Sequence, residues 1–187
     1  MINSPARRGF TLIELVMVVL IIAVLVAVAA PQYQTAVLRV KYLKLQRVVR
    51  KVMQAEQSYK SAYGDFTVDL DVLDIDFSSL KAEHKVTQAE AGEPTFATYR
   101  GFHGETLVLI NTSNYLEIRM SSNELPVSFQ MFDWHYPELI ITPEVMKEHL
   151  IESYCRGTAD TVTESRRICA AFGADTTWTT PDYSWKF

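Results

Sequence analysis

One carboxylate stands at the head of a segment that is otherwise hydrocarbon. It is Glu14, in Gly9-Phe10-Thr11-Leu12-Ile13-Glu14, ahead of an unbroken apolar run from Leu15 to Ala30. A charged acid deep in a membrane-length helix costs on the order of 3 kcal/mol, so such a residue is kept where it has a partner and a role. A second acidic feature, Asp69, Asp71, Asp74 and Asp76, offers oxygen ligands for a cation, but its order lacks the glycine and distal glutamate of a calcium loop. It reads instead as a short turn-rich helix anchored by Leu70, Leu73 and Ile75, with the aspartates capping it or facing water. His84, His103, His135 and His149 are scattered, with no Cys or His at ligand spacing. No nucleophile elbow, phosphate loop, dinucleotide fingerprint or zinc spacing is present, and Asp74/Asp76 has nothing to set an acid apart from a base. The sequence therefore predicts no enzyme, no metal and no cofactor. Cys155 and Cys169, the only cysteines, read as a disulfide or as two unrelated buried thiols.

The element that must carry Glu14 is a helix. Sixteen apolar residues at 1.5 Å each cover about 24 Å, and Phe10 to Ala30 covers about 31 Å, roughly a bilayer core. Pro31 follows and would remove one helical hydrogen bond at a cost of about 3 kcal/mol. The pattern nevertheless continues: Leu38, Tyr42, Leu45, Val49, Val52, Ala55, Tyr59 and Ala62 step by three and four. One long helix from about Phe10 to Tyr63, kinked at Pro31 and ended by Gly64, is expected. Its polar side carries Arg39, Lys44, Arg47, Arg50 and Lys51. That side is either solvated or turned to another subunit as a polar face, or else it meets lipid headgroups, DNA or an acidic patch of a neighbouring subunit. The chain's net charge of −4 argues against non-specific nucleic-acid binding by the whole molecule.

From Thr95 the period changes to that of strands. Thr95–Arg100, Glu105–Asn111, Tyr115–Met120 and Val127–Asp133 are β-branched or aromatic runs separated by Gly, Asn and Ser clusters. Three or four antiparallel strands would bury one face against the amphipathic half of the helix, giving an α+β head. Thr142-Pro143-Glu144 predicts a helix to about Ser153, and the capping-box pattern Thr161–Glu164 predicts another closing near Gly173. The aromatic tail, Trp178 to Phe187, is expected either on the sheet edge or as an adhesive surface for a neighbour.

Arg7-Arg8-Gly9, then Phe10-Thr-Leu-Ile-Glu14, then a hydrophobic helix resembles the prepilin leader motif of type IV pilins and type II secretion pseudopilins. The resemblance covers about residues 7–65 and is architectural beyond. It implies a leader peptide 1–9, a transmembrane and filament-core helix 10–30, an amphipathic helix 31–63 and a globular head 64–187. It implies that a prepilin peptidase cuts between Gly9 and Phe10 and methylates the Phe10 amine. Cleavage removes two arginines, leaving sixteen basic against twenty-two acidic side chains. It further implies partners: identical or related pilin subunits, membrane lipid before assembly, and an inner-membrane assembly machinery with a separate ATPase. The subunit would be single-pass in the bacterial inner membrane, N-terminus cytoplasmic and head periplasmic, before joining an extracellular or periplasmic filament. Basic residues beyond Ala30 favour the opposite orientation by the positive-inside rule, but large domains translocate despite charge.

In that setting Cys155 and Cys169 lie in an oxidising compartment, which favours their disulfide. A closed C-terminal loop is common in pilins and typically missing from major pseudopilins, so the resemblance favours a pilus subunit over a secretion pseudopilin. The resemblance also implies a role for Glu14, which is to pair in the filament with the Phe10 amine of an adjacent subunit and so fix register. Two other readings compete at the N-terminus. Ala27-Val28-Ala29 suits signal-peptide cleavage near Ala30, giving a secreted binding domain, and an unprocessed single-pass anchor is the other. Neither has a use for Glu14.

Overall fold

The computed structural model describes residues 10–77, 79–87, 93–134, 151–158, 162–177 and 183–187. It divides into two compact units, Met1–Arg39 and Val40–Phe187. A single helix, α1 (Leu12–Tyr63), supplies the described helical part of the first and opens the second. Its helical assignment continues through Pro31. It stops at Gly64, whose φ of +90° suits a residue without a Cβ and whose N–H reaches the Lys60 carbonyl at 2.8 Å.

In the first unit the apolar side chains from Leu12 to Val28 are exposed, and the segment is long and apolar enough to cross a membrane. No described residue of this unit covers this surface, and its composition suits lipid or other helices.

Among the described residues of the second unit seven strands follow: β1 (Leu80–Val86), β2 (Thr95–Gly101), β3 (Glu105–Asn111), β4 (Tyr115–Ser122), β5 (Ser128–Trp134), β6 (Ile151–Arg156) and β7 (Ser184–Lys186). Each pairs antiparallel with the next, in the order β1 to β7. A second helix, α2 (Val162–Ala171), lies between β6 and β7 in the chain. The register carries one row of buried residues across the sheet: Tyr99 opposite Leu107, then Met120, Phe129, Cys155 and Trp185. Alternation places this row on one face, where α1 supplies Tyr42, Leu45, Val49 and Val52. Tyr42 makes the contact explicit. Its ring is stacked on Phe172 at 4.2 Å and set edge-on to Phe129 at 6.0 Å.

The α+β architecture with a long N-terminal helix, an antiparallel sheet and a C-terminal disulfide is as expected. The four expected strands are β2 to β5, and α2 closes at Gly173, whose φ is +99°. Three particulars are corrected. The sheet has seven strands, because β1 is a charged edge strand without apolar alternation and β7 has only three residues. The helix expected to run to Ser153 cannot, since Ile151–Arg156 is β6, paired with β5 from Ile151↔Asp133 to Arg156↔Ser128. The rest of that expected helix, from Thr142, lies outside the described residues, as do Thr161 and Trp178. Finally, burial on α1 passes from Val52 to Met53 and Glu56, while Ala62 is exposed. The expected spacing averages under 3.6 residues, so between Tyr42 and Ala62 it drifts about 160° around the helix.

Candidate functional site

Phe10 is exposed and precedes the first turn of α1, and Gly9 lies outside the described residues. Thr11 is the N-cap. Its hydroxyl oxygen accepts the Glu14 N–H at 3.3 Å, and its carbonyl accepts the Leu15 N–H, also at 3.3 Å. Glu14, three residues on, returns the bond. Its Oε2 accepts both the Thr11 N–H and the Thr11 hydroxyl, each at 2.8 Å. This is a capping box, which satisfies donors that a helix start leaves open. The Thr-x-x-Glu spacing is visible in the sequence, but beside the long apolar run Glu14 stands out as a lone charge instead.

The arrangement solves a physical problem at the end of an apolar helix. A carboxylate there would otherwise face hydrocarbon alone. Here it accepts two hydrogen bonds from Thr11, one from the backbone N–H and one from the hydroxyl, and it sits where the helix dipole favours a negative charge. Both bonds fall on one oxygen, so the second oxygen can accept a donor brought by another molecule.

In the second unit the loop that follows α1 is fixed by side chains from both the helix and the sheet. The Phe66–Thr67 peptide is held from both sides: its carbonyl accepts Asn111 Nδ2 at 3.4 Å, and its N–H donates to Glu56 Oε2 at 3.0 Å. Two residues on, the Tyr99 hydroxyl donates to the Val68 carbonyl at 3.0 Å and accepts the Leu70 N–H at 2.9 Å. Glu56 is 0% exposed, an acid that sequence reasoning passes over because it interrupts an apolar stripe. Burial pushes its carboxyl up to about 8, with the Thr67 N–H opposing that rise and Asp65 adding to it.

The aspartate cluster is occupied from within. Asp69 caps a 3₁₀ turn, Leu70–Val72, and the Lys85 ammonium lies 2.5 Å from Asp69 Oδ1 and 3.2 Å from Asp71 Oδ2. Burial works against the Asp69 charge, yet the Lys85 ammonium and the Asp71 N–H hold its carboxyl below the ordinary range. Leu70 and Leu73 are buried and Ile75 is half-buried, as anchors should be. Among the described residues no group of three metal-ligating side chains exists. His84 and His103 are in β1 and the β2–β3 turn; His135 and His149 lie outside the described residues. Cys155 and Cys169 form a disulfide, with Cα atoms 5.7 Å apart, tying β6 to α2.

Residues 4–30 match the family model described as the prokaryotic N-terminal methylation motif, the prepilin leader of type IV pilins and pseudopilins. No curated protein and no solved structure matches the chain. The motif and the apolar helix that it enters fit a type IV pilin-like or pseudopilin subunit, anchored in a membrane and structural in role. The same motif implies processing by a prepilin peptidase and assembly with other pilin subunits.

Proposed function

We propose that the chain is a structural subunit of a type IV pilus-like filament, held in the inner membrane before assembly and polymerised through residues 10–30. The observation that carries this reading is the methylation motif running directly into an apolar helix whose side chains are exposed from Leu12 to Val28. Cleavage between Gly9 and Phe10 creates an amine. Methylation keeps it cationic. In the membrane, Glu14 is held by Thr11. In the filament, where apolar helices exclude water, the second oxygen of Glu14 takes the Phe10 amine of an adjacent subunit. An unpaired buried charge costs several kcal/mol, whereas an apolar helix alone slides without penalty, so the pair sets axial register. Pro31 bends the helix between its filament-core part and the part that carries the head. The Cys155–Cys169 closure favours a pilus subunit over a secretion pseudopilin, since the major pseudopilins typically lack one.

The test is Glu14→Val. It should leave membrane insertion, cleavage and head folding intact and impair filament yield, measured by shearing and microscopy beside the subunit level in membranes. Filaments of normal yield and unchanged helical symmetry would remove the register role.

A further inference from the structure

Charge is segregated within the second unit. Residues 40–63 carry six Lys or Arg and one acid, the buried Glu56; residues 64–187 carry nine Lys or Arg against twenty Asp or Glu. Some of this charge is matched inside the chain. Lys41 pairs with Glu124 and Lys44 with Glu105, each at 3.0 Å, and Lys51 lies 5.2 Å above the Phe77 ring. Arg47 and Arg50 are exposed and make no ion pair with any described residue.

These arginines share a face. At 100° per residue, Val40, Leu43, Arg47, Arg50, Lys51 and Gln54 lie opposite the buried stripe of Leu45, Val49, Val52 and Glu56. Val40 and Leu43 are exposed on it. A solvated helix face is ordinarily laced with acid–base pairs three and four apart, and this one has no acid. Arginine beside exposed aliphatic surface is the composition of a contact face.

The complementary charge lies on the loop after the helix. The Asp71 side chain is 81% exposed and shares Lys85 with Asp69. Asp74 is exposed without an ion pair among the described residues. It lines a groove of about 520 Å³ together with Lys51, Ala55, Tyr59, Ala62 and Val72, so the acidic loop runs along α1 from Lys51 onward. Neither Arg47 nor Arg50 lines that groove, and within one chain neither pairs with Asp71 or Asp74. A second copy shifted along the helix axis brings them together.

We propose that Arg47 and Arg50 of one copy dock on the Asp71–Asp74 loop of the next, in a head-to-tail contact between second units. This rests on the filament reading above and gives it a second, polar register element. The contact is heterologous, so it repeats instead of closing on itself. The occupant is a second copy because the required acid is on the chain. A lipid surface or a nucleic acid would meet the acidic loop beside the arginines and be repelled.

The test is charge exchange in the full-length chain, expressed in its own host. Arg47→Glu with Arg50→Glu should lower sheared filament yield by about tenfold or more, one such factor per 1.4 kcal/mol of lost contact. Cleaved, disulfide-closed subunit in membranes should stay at the wild-type level. Adding Asp74→Arg to that pair should restore most of the yield. Wild-type yield from the arginine pair variant, or no gain from the added Asp74→Arg, overturns the inference and leaves the filament reading standing. A wild-type chain that forms no filament overturns the filament reading and this inference with it.

Discussion

The Thr11 N–H and the Thr11 hydroxyl converge on a single oxygen of Glu14, each at 2.8 Å. The acid at the head of the apolar helix is thus engaged before any partner arrives, and its second oxygen is the one a partner can take. Capping and pairing are compatible because they use different atoms.

Replacing Thr11 by Val removes the hydroxyl and keeps the size. An N-cap of this kind is worth about 1 kcal/mol, so the first turn should open about fivefold more often. Amide exchange at Glu14 and Leu15, measured on the processed chain in micelles, should rise by that factor. Unchanged exchange would mean that the cap does not hold in a membrane-like setting.

Glu56 makes stability depend on pH. Burial raises its folded carboxyl to about 8, well above the ordinary carboxylate range. The folded state therefore binds more protons than the unfolded state between about 4.5 and 8, and stability falls as pH rises through that window. Thermal melts of the whole chain in detergent should show Tm lower by about 5 °C or more at about pH 9 than at about pH 5 from this group. Glu56→Gln keeps an acceptor for the Thr67 N–H and cannot ionise, so it should flatten that fall. A variant that keeps the full slope would place the titration elsewhere.

Lys85 resolves the chemistry of the aspartate cluster. Its ammonium occupies the space between Asp69 and Asp71 that a cation would need. Millimolar calcium should leave the Tm of the wild-type chain unchanged. Lys85→Ala should destabilise the second unit by roughly 1 kcal/mol, the scale of a partly exposed pair. A calcium-dependent rise in wild-type Tm would contradict the assignment of Lys85 as the resident cation.

Much of this organisation is legible in the residues. The length of α1 follows from an apolar run joined to an amphipathic stripe, and its end from Gly64. Strands β2 to β5 follow from clean alternation between turn residues. What escapes has physical causes. β1 is an edge strand, and its Lys81, Glu83 and Lys85 guard it against pairing with other chains, which erases the apolar signal. β6 is hidden because Thr142-Pro143-Glu144 is a strong helix start and nothing before Ile151 announces a stop. Glu56 is hidden because a charge inside an apolar stripe reads as solvent-facing until the loop that it holds is known. At the N-terminus the leader motif is plain, but the cap inside it is masked. The residue that closes the cap, Glu14, is also the one whose charge calls for a partner on another chain.

If the chain becomes a filament subunit, it does so through a processed N-terminus at Phe10. The decisive measurement is the intact mass of subunits from sheared filaments. The predicted mass is that of residues 10–187 with one methyl group on the Phe10 amine and a closed Cys155–Cys169 disulfide. Assembled material that retains Met1, or begins at Ala30, would contradict it.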